Sequence, residues 1–469
     1  MSALMTVGEL ARVLSARSVP AEIDGDSRVG FSSVSTDSRT LSPGALFVTL
    51  SGERFDGHDY AARARENGAA AALVERRVDV DVPQLIVADS KRAFGLAAAY
   101  WRSRFSLPVI AVAGSNGKTT VTQMVAAILA AAYGEKNRLA TRGNLNNDIG
   151  VPLMLWQLSK QHRAAVFEVG MNHPGEIAYL AELVQPTVAL VNNAQREHQE
   201  FMQSVEATAR ENGETIAALS DDGVAVFPAD DACAPIWRQL SGTRRVIDFA
   251  LEAYAVITAT FQPEEGGVQI SMATPSGLID VRLAAGGVHN VRNAMAAAAC
   301  AVAADIGADA IAAGLNAWRP VAGRGVKLRI RDCDVIDDSY NANPDSVRAA
   351  IDLLATAPRP RVLVLGDMGE VGERGPEFHR EVGAYAHERG VDALFAVGPL
   401  TREAAQIFGA NAVHFDDINA LIATLRRSLQ AGTTVLVKGS RFMQMERVVQ
   451  ALTAQPTESV HPNLSHEPT

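Results

Sequence analysis

The segment PVIAVAGSNGKTT, residues 108–120, restricts the fold of this chain more than any other. An apolar run ends in a glycine loop. The loop opens a helix whose apolar face is Val121, Met124, Val125, Ile128, Leu129 and Ala132. Those positions follow the i, i+3, i+4, i+7 spacing of a half-buried helix. Strand, glycine loop and helix in this order make a cradle for phosphate, because backbone N–H groups and the positive end of the helix face the anion. Gly114, Ser115, Asn116, Gly117, Lys118, Thr119 and Thr120 are therefore the candidate nucleotide-binding residues. Lys118 would meet the outer phosphates, facing solvent until they arrive, and the Thr119 hydroxyl would bind Mg²⁺. The usual pattern has four residues between its first glycine and the Gly-Lys pair. Here only Ser115 and Asn116 intervene, and Val112 holds the earlier glycine's place. An ordinary glycine turn after a strand is the competing reading.

A chain of 469 residues leaves room for roughly two to four domains. Its 48% hydrophobic and 20% charged content is that of a globular protein. The net charge of −10, without a basic run, argues against nucleic acid as the main partner but not against small anionic ligands. No apolar stretch approaches the roughly 18–20 residues that span a bilayer. The opening MSALMTVGELARVLSA has helical spacing and an internal Glu9, unlike a signal peptide. Cys233, Cys300 and Cys333 fit neither a zinc site nor a disulfide framework, so a reducing cytoplasm is expected.

Short apolar runs alternate with helical patterns through most of the chain, as in GALFVTL, PQLIVADS, RVLVLGDM, ALFAVG and TTVLVKGS. This implies an α/β fold of mostly parallel sheets with crossover helices. Three domains are expected, residues 1–106, 107–320 and 321–456, the second a phosphate-loop ATPase domain; a polar tail, 457–469, follows.

Ligands of open parallel sheets sit beyond the carboxyl ends of the strands. Residues there include Glu168, Asn192, Asn193, Asp338, Asp367 and Lys438–Arg441. Glu168, ending the run AAVFE, is placed to bind Mg²⁺, although alone it reads equally as a solvated strand-end acid. His198 on its own reads as a structural histidine. Asn290 and Asn293 share a helical face and could pair with adenine, or Asn290 could cap the helix. Asp338 could hold ribose hydroxyls. Arg324, between Gly323 and Gly325, could reach a γ-phosphate on domain closure. Asp37-Ser38-Arg39 alone reads as a turn.

Together these motifs resemble the Mur ligases, which add amino acids to the cell-wall precursor, over essentially the whole chain apart from the tail. The shortened GSNGKTT loop is similar to the signature that Mur ligases share with folylpolyglutamate ligases. Residues 141–152 (TRGNLNNDIGVP), 168–177 (EVGMNHPGEI), 338–344 (DSYNANP) and 366–370 (GDMGE) resemble the branch that adds D-alanyl-D-alanine. Residues 35–39 (STDSR), 43–48 (PGALFV) and 56–58 (DGH) resemble the UDP-binding domain shared with the diaminopimelate- or lysine-adding ligases.

The resemblance implies an N-terminal UDP-binding domain, a central ATPase domain and a C-terminal domain with a dinucleotide-fold-like sheet. It implies ATP and Mg²⁺ as cofactors, and UDP-MurNAc-tripeptide and D-alanyl-D-alanine as substrates of a monomeric enzyme. Lys118, Glu168 and His198 would be catalytic, with Thr119, Glu168 and His198 on the metal. His289, Asn290, Asn293, Arg324 and Asp338 would contact ATP. Ser38, Arg39, Thr141, Asn144 and Asn147 would contact substrate. The family often has a lysine fourteen residues after the metal histidine, carbamylated to hold a second Mg²⁺; here that place is Asn212. Asn212 is expected to leave that metal weakly held by Glu168 and His198 and completed by water; the less favoured alternative is that Glu211 or Glu214 swings in. The implied reaction activates a carboxylate as an acyl phosphate, which an amine then attacks. A folylpolyglutamate-type ligase should lack the STDSR and DGH segments, and a plain ATPase should share only the loop.

Overall fold

Runs such as VIAVA (109–113), VALV (188–191) and VLVL (362–365) are apolar at every position. A strand buries both faces only in a sheet covered by helices on both sides, which selects parallel sheets with crossover helices. The computed structural model of the chain, which describes residues 3–454 apart from 53, 54, 198 and 331, has this α/β architecture. The expected tail, 457–469, lies outside the described residues. The chain divides into two packed units, residues 1–319 and residues 320–469.

The first unit contains two large sheets. The smaller orders its strands Ala21–Asp24, Gln84–Val87, Ala71–Val74, Ala45–Val48 and Ser33–Ser35, parallel except for the first pair. The larger has nine: Arg138–Ala140, Ala164–Glu168, Val109–Ala113, Val188–Val191, Val224–Pro228, Arg245–Ala250, Ile257–Glu264, Gly267–Thr274 and Gly277–Leu283. Its first seven strands are parallel; the last three form an antiparallel extension that the strand–helix alternation did not foretell. The expected boundary near residue 106 lies between these sheets, which nonetheless share one apolar cluster containing Leu46, Leu73, Ala111, Phe167 and Val184. Buried Arg102, on helix Ser90–Ser103, donates to Val184 O at 2.9 Å and Gln185 O at 2.8 Å, at the end of helix Glu176–Val184. A cation at a helix C-terminus offsets the negative end of its dipole.

Strand Val109–Ala113 lies between Ala164–Glu168 on one side and Val188–Val191 on the other, so strand order reverses at its carboxyl end. Such a switch point opens a crevice for ligands. The register pairs Val112 with Glu168 and Ala113 with Val191. Gly114, Glu168 and Asn192 therefore leave the sheet side by side.

The second unit has a six-stranded sheet in the order Val326–Ile330, Cys333–Asp338, Thr434–Lys438, Arg361–Gly366, Ala393–Val397 and Ala412–Phe415. Only its first pair is antiparallel. After strand Arg361–Gly366, fully buried His379 fastens the chain. Its Nε2 accepts from Met368 N–H at 3.0 Å, so the proton lies on Nδ1, 2.7 Å from Gly375 O. Burial lowers the pKa of His379 from 6.5, outweighing the opposing pull of the Gly375 carbonyl, Asp367 and Glu403.

The folded state therefore resists a proton that the unfolded chain accepts. This histidine's share of stability is complete above about pH 6.5 and is lost as pH falls towards the folded pKa. The urea midpoint of the second unit should drop between about pH 7 and 5.5, and His379→Gln should flatten that slope. Equal slopes in the two proteins would rule out this role for His379.

Candidate active site

The glycine loop is shaped by what lies behind it. Gly114 has φ of 126° and Gly117 of 82°, both in the region glycine adopts without strain. A Cβ on Gly117 would lie 2.4 Å from Asn293 Oδ1 and 2.6 Å from Asn192 Nδ2, so the loop rests directly on two carboxamides. Asn212 Oδ1 accepts from Gly114 N–H at 2.9 Å. Ser115 N–H donates to Asn193 O at 3.1 Å, and Asn116 N–H to Asn193 Oδ1 at 2.8 Å. Asn192 Nδ2 reaches Asn116 O at 2.8 Å and Asn293 Oδ1 at 2.9 Å. Ser115 and Asn116, expected in the phosphate cradle, thus spend their amides on the protein. The first-turn N–H groups of helix Lys118–Tyr133, on Lys118, Thr119 and Thr120, have no carbonyl within the helix to bond and are the ones suited to phosphate.

Lys118 departs from expectation. Its side chain is 15% exposed and pairs with Glu197, itself 12% exposed, at 2.9 Å. The ammonium also donates to Gly114 O at 2.7 Å and Ser115 O at 3.1 Å. An amine with three donors in a half-buried cleft takes the acceptors within reach. Glu197 went unnoticed in the sequence, although it stands beside His198, which lies outside the described residues.

Glu168 is 3% exposed. Its N–H donates to Thr141 Oγ1 at 2.9 Å, and its Oε1 accepts from Asn146 Nδ2 at 2.6 Å, while Oε2 is buried without a partner. Thr141, expected on the substrate, is buried with its hydroxyl committed to Glu168. Asn147 is exposed, but its carboxamide oxygen caps helix Gly150–Leu155 through Gly150 N–H at 2.8 Å. Asn144 is exposed on the same loop. Asn146, unremarked in the sequence, is the residue of this motif that reaches the acid.

Asn212 does not wait beside a metal. It is 1% exposed, and its Nδ2 donates back to Thr208 O at 3.1 Å while its oxygen holds Gly114. Glu211 turns towards another segment, where its Oε1 accepts from Gly175 N–H at 2.9 Å and Ile177 N–H at 3.0 Å.

The adenine candidates also turn inward. Asn290 and Asn293 are buried. Asn290 Nδ2 donates to Gly286 O at 2.8 Å, and Asn293 Oδ1 receives Asn192. Both brace the loop and the helix start instead of presenting paired amide groups outward. His289 is half-buried next to Asn290. Arg292 grips Asp230 with two bonds, of 2.6 and 2.9 Å. Burial alone would raise the Asp230 pKa, but Arg292 outweighs it and the net shift is downward.

Near the chain's start, Ser38 is buried with its carbonyl accepting from Asn67 Nδ2 at 2.8 Å. Exposed Arg39 chelates Asp37 through two bonds of 2.9 Å, and these hold the Asp37 pKa down to about 2. Buried His58 accepts Glu75 N–H on Nε2 at 2.9 Å and faces Asp56 with Nδ1 at 2.5 Å. Arg324 and Asp338 belong to the second unit. There Arg324 lies 4.1 Å from the Tyr340 ring centroid, and Asp338 pairs with buried Lys438 at 2.5 Å.

Residues 31–102, 112–301 and 323–441 match, in turn, the models for the Mur ligase family catalytic domain, the Mur ligase middle domain and the Mur ligase glutamate ligase domain. The UDP-N-acetylmuramoyl-tripeptide–D-alanyl-D-alanine ligase of Escherichia coli K12 is 42% identical over 453 residues, 96% of this chain and 98% of that protein. A crystal structure of MurF from Acinetobacter baumannii has a TM-score of 0.89 at 34% identity, covering 96% of this chain and 99% of that one. The MurF ligase of Thermotoga maritima in complex with ADP has a TM-score of 0.79 at 27% identity, covering 90% and 97%.

The Lys118–Glu197 pair makes a prediction about stability. Lys118→Ala removes the cation from a largely buried carboxylate and should cost about 1–3 kcal/mol, read from the urea midpoint. Adding Glu197→Gln to that variant should recover much of the loss. A single variant as stable as wild type would show that the pair contributes nothing.

Proposed function

Since the chain belongs to the Mur ligase family, we propose that it is the ATP-dependent, ADP-forming ligase that joins D-alanyl-D-alanine to UDP-N-acetylmuramoyl-tripeptide in peptidoglycan precursor synthesis. The structural observation that carries this reading is the buried, unpartnered Oε2 of Glu168 beside a glycine loop at a switch point of the sheet. A lone anionic oxygen buried there would be costly unless a cation joined it. Its place fits Mg²⁺, which takes oxygen ligands and keeps several waters. Among the described residues no three His, Cys, Asp or Glu side chains converge to hold a metal. By the resemblance to the Mur ligases, Thr119, Glu168 and His198 are the proposed protein ligands, with phosphate and water as further oxygen donors. Bound Mg²⁺ would offset the charge gathering on the transferred phosphoryl group.

The terminal carboxylate of the tripeptide attacks the γ-phosphorus, the bond to the β-phosphate oxygen breaks and ADP leaves. Lys118 exchanges Glu197 for the outer phosphates and offsets charge in the transition state. The amine of D-alanyl-D-alanine then attacks the acyl carbonyl, phosphate departs and the nitrogen loses a proton. No side-chain nucleophile is needed, because positioning and electrostatics account for the acceleration. Thr141 and Asn146 contribute by fixing Glu168. Three free, buried cysteines, and no helix among the described residues long and apolar enough to cross a membrane, support a cytoplasmic setting.

Phosphate release should require UDP-MurNAc-tripeptide and D-alanyl-D-alanine together. Steady hydrolysis with neither would favour a plain ATPase. Faster ligation of diaminopimelate to UDP-MurNAc-dipeptide would place the chain in another branch. Lys118→Ala/Glu197→Gln, whose fold is protected, should lose ligation; activity within about tenfold of wild type would overturn the role of Lys118.

Asn212 has no amine to carbamylate, so turnover should be the same in CO₂-depleted buffer and after bicarbonate is added. A severalfold, reversible rescue would locate a carbamate on some other lysine.

A further inference from the structure

Gly114 opens the loop with φ of 126°, a conformation that glycine adopts without strain. Two groups grip it from opposite sides. Its carbonyl accepts from Lys118 Nζ at 2.7 Å, a contact that Lys118 must loosen when it turns to phosphate. Its N–H donates to Asn212 Oδ1 at 2.9 Å, behind the loop. Asn212 lies on helix Val205–Ala217, and that helix is held firmly. Trp237 Nε1 donates to Ala209 O at 2.9 Å, and a Cβ on Gly213 would meet Leu240 Cδ1 at 2.4 Å. With Nδ2 on Thr208 O, the carboxamide can point only its oxygen at the loop.

We propose that Asn212 is a positioning residue for nucleotide binding: it fixes the Gly114 peptide so that the helix-start amides of residues 118–120 stay aimed at the phosphates. The inference rests on the nucleotide-binding reading of the loop. The residue type follows from the charge. Alanine would orphan a buried N–H, and aspartate would satisfy it but set a carboxylate beside the phosphates. A neutral acceptor meets both demands. Glu211 supplies an internal control, because it sits next to Asn212 on the same helix yet caps a different segment, Gly175–Ile177.

The test measures ADP affinity by calorimetry on the full chain, with Mg²⁺ and again in EDTA, together with backbone hydrogen exchange. Asn212→Ala should weaken ADP about tenfold in both buffers, the size expected for one orphaned buried N–H. Exchange should quicken in a peptide covering 109–120 while helix 205–217 stays as protected as in wild type. Asn212→Asp keeps an acceptor for Gly114 N–H but loses the donor to Thr208 O, so its loop should exchange at a rate between those of Asn212→Ala and wild type while ADP binding stays weak, and Glu211→Ala should leave ADP affinity unchanged. ADP binding by Asn212→Ala within twofold of wild type, or loop and helix loosening together, would overturn the proposal. Should Asn212→Ala not fold, Asn212→Asp binding ADP within twofold of wild type would overturn it instead. Absence of ADP binding in the wild type would mean that the nucleotide reading itself has failed.

Discussion

A phosphate loop must satisfy a narrow constraint. Some of its N–H groups have to remain available for an anion, and every other polar group of the loop has to be paired, because a buried orphan costs about 1–3 kcal/mol. Here the division falls at Gly117. Before it, Gly114, Ser115 and Asn116 donate to Asn212 and Asn193. After it, the helix begins and supplies the amides that phosphate can use. The supporting side chains are almost all carboxamides, which present a donor and an acceptor without charge. Acids in those positions could accept the loop's N–H groups, but they would lose the donors to Asn116 O and repel the ligand. Among the described residues the carboxylate bonded to the loop's lysine is Glu197, which lies outside the helices and strands.

This arrangement depends on sheet register. Pairing Val112 with Glu168 puts the acid one strand away from the loop, and pairing Ala113 with Val191 brings Asn192 and Asn193 beneath it. A slip of one residue would send Glu168 to the opposite face of the sheet. Register is in turn fixed by burial on both faces, since Val109–Ala113 and Ala164–Phe167 are fully enclosed. The apolar core and the polar site are thus two consequences of one alignment.

Much of this was legible in the sequence, for reasons that differ between residues. The strand, loop and helix of residues 108–132 declare themselves because their signals are local. Glu168 alone reads equally as a solvated strand-end acid, and became legible only through its place beside a phosphate loop. The direction of the asparagines was not visible. Asn212 and Gly114 are 98 residues apart, and Asn192 and Asn293 are 101 apart, so no local pattern tells a carboxamide whether to turn outward to adenine or inward to the loop. Lys118 misled for a related reason: its partner Glu197 lies 79 residues away. The antiparallel strands 257–283 were overlooked although their side chains alternate, because the parallel pattern around them dominated the reading.

Both units place a lysine at the carboxyl end of a parallel sheet, and the settings of the two differ. Lys438 ends a central strand beside Asp338, its neighbour in register, and is 4% exposed. It also donates to Asn341 O at 3.0 Å. Its strand and its acid belong to one central ladder and the ammonium is buried, so that lysine is structural in character. Lys118 makes the same kinds of contact but opens a helix, where the dipole disfavours a cation. Its acid is in the irregular segment after strand Val188–Val191, and the two carbonyls it touches belong to a glycine loop. The same set of partners therefore fixes one lysine and only parks the other. An anion arriving at the helix start would relieve the unfavourable dipole that Glu197 alone has to offset, and so has a standing advantage in the exchange.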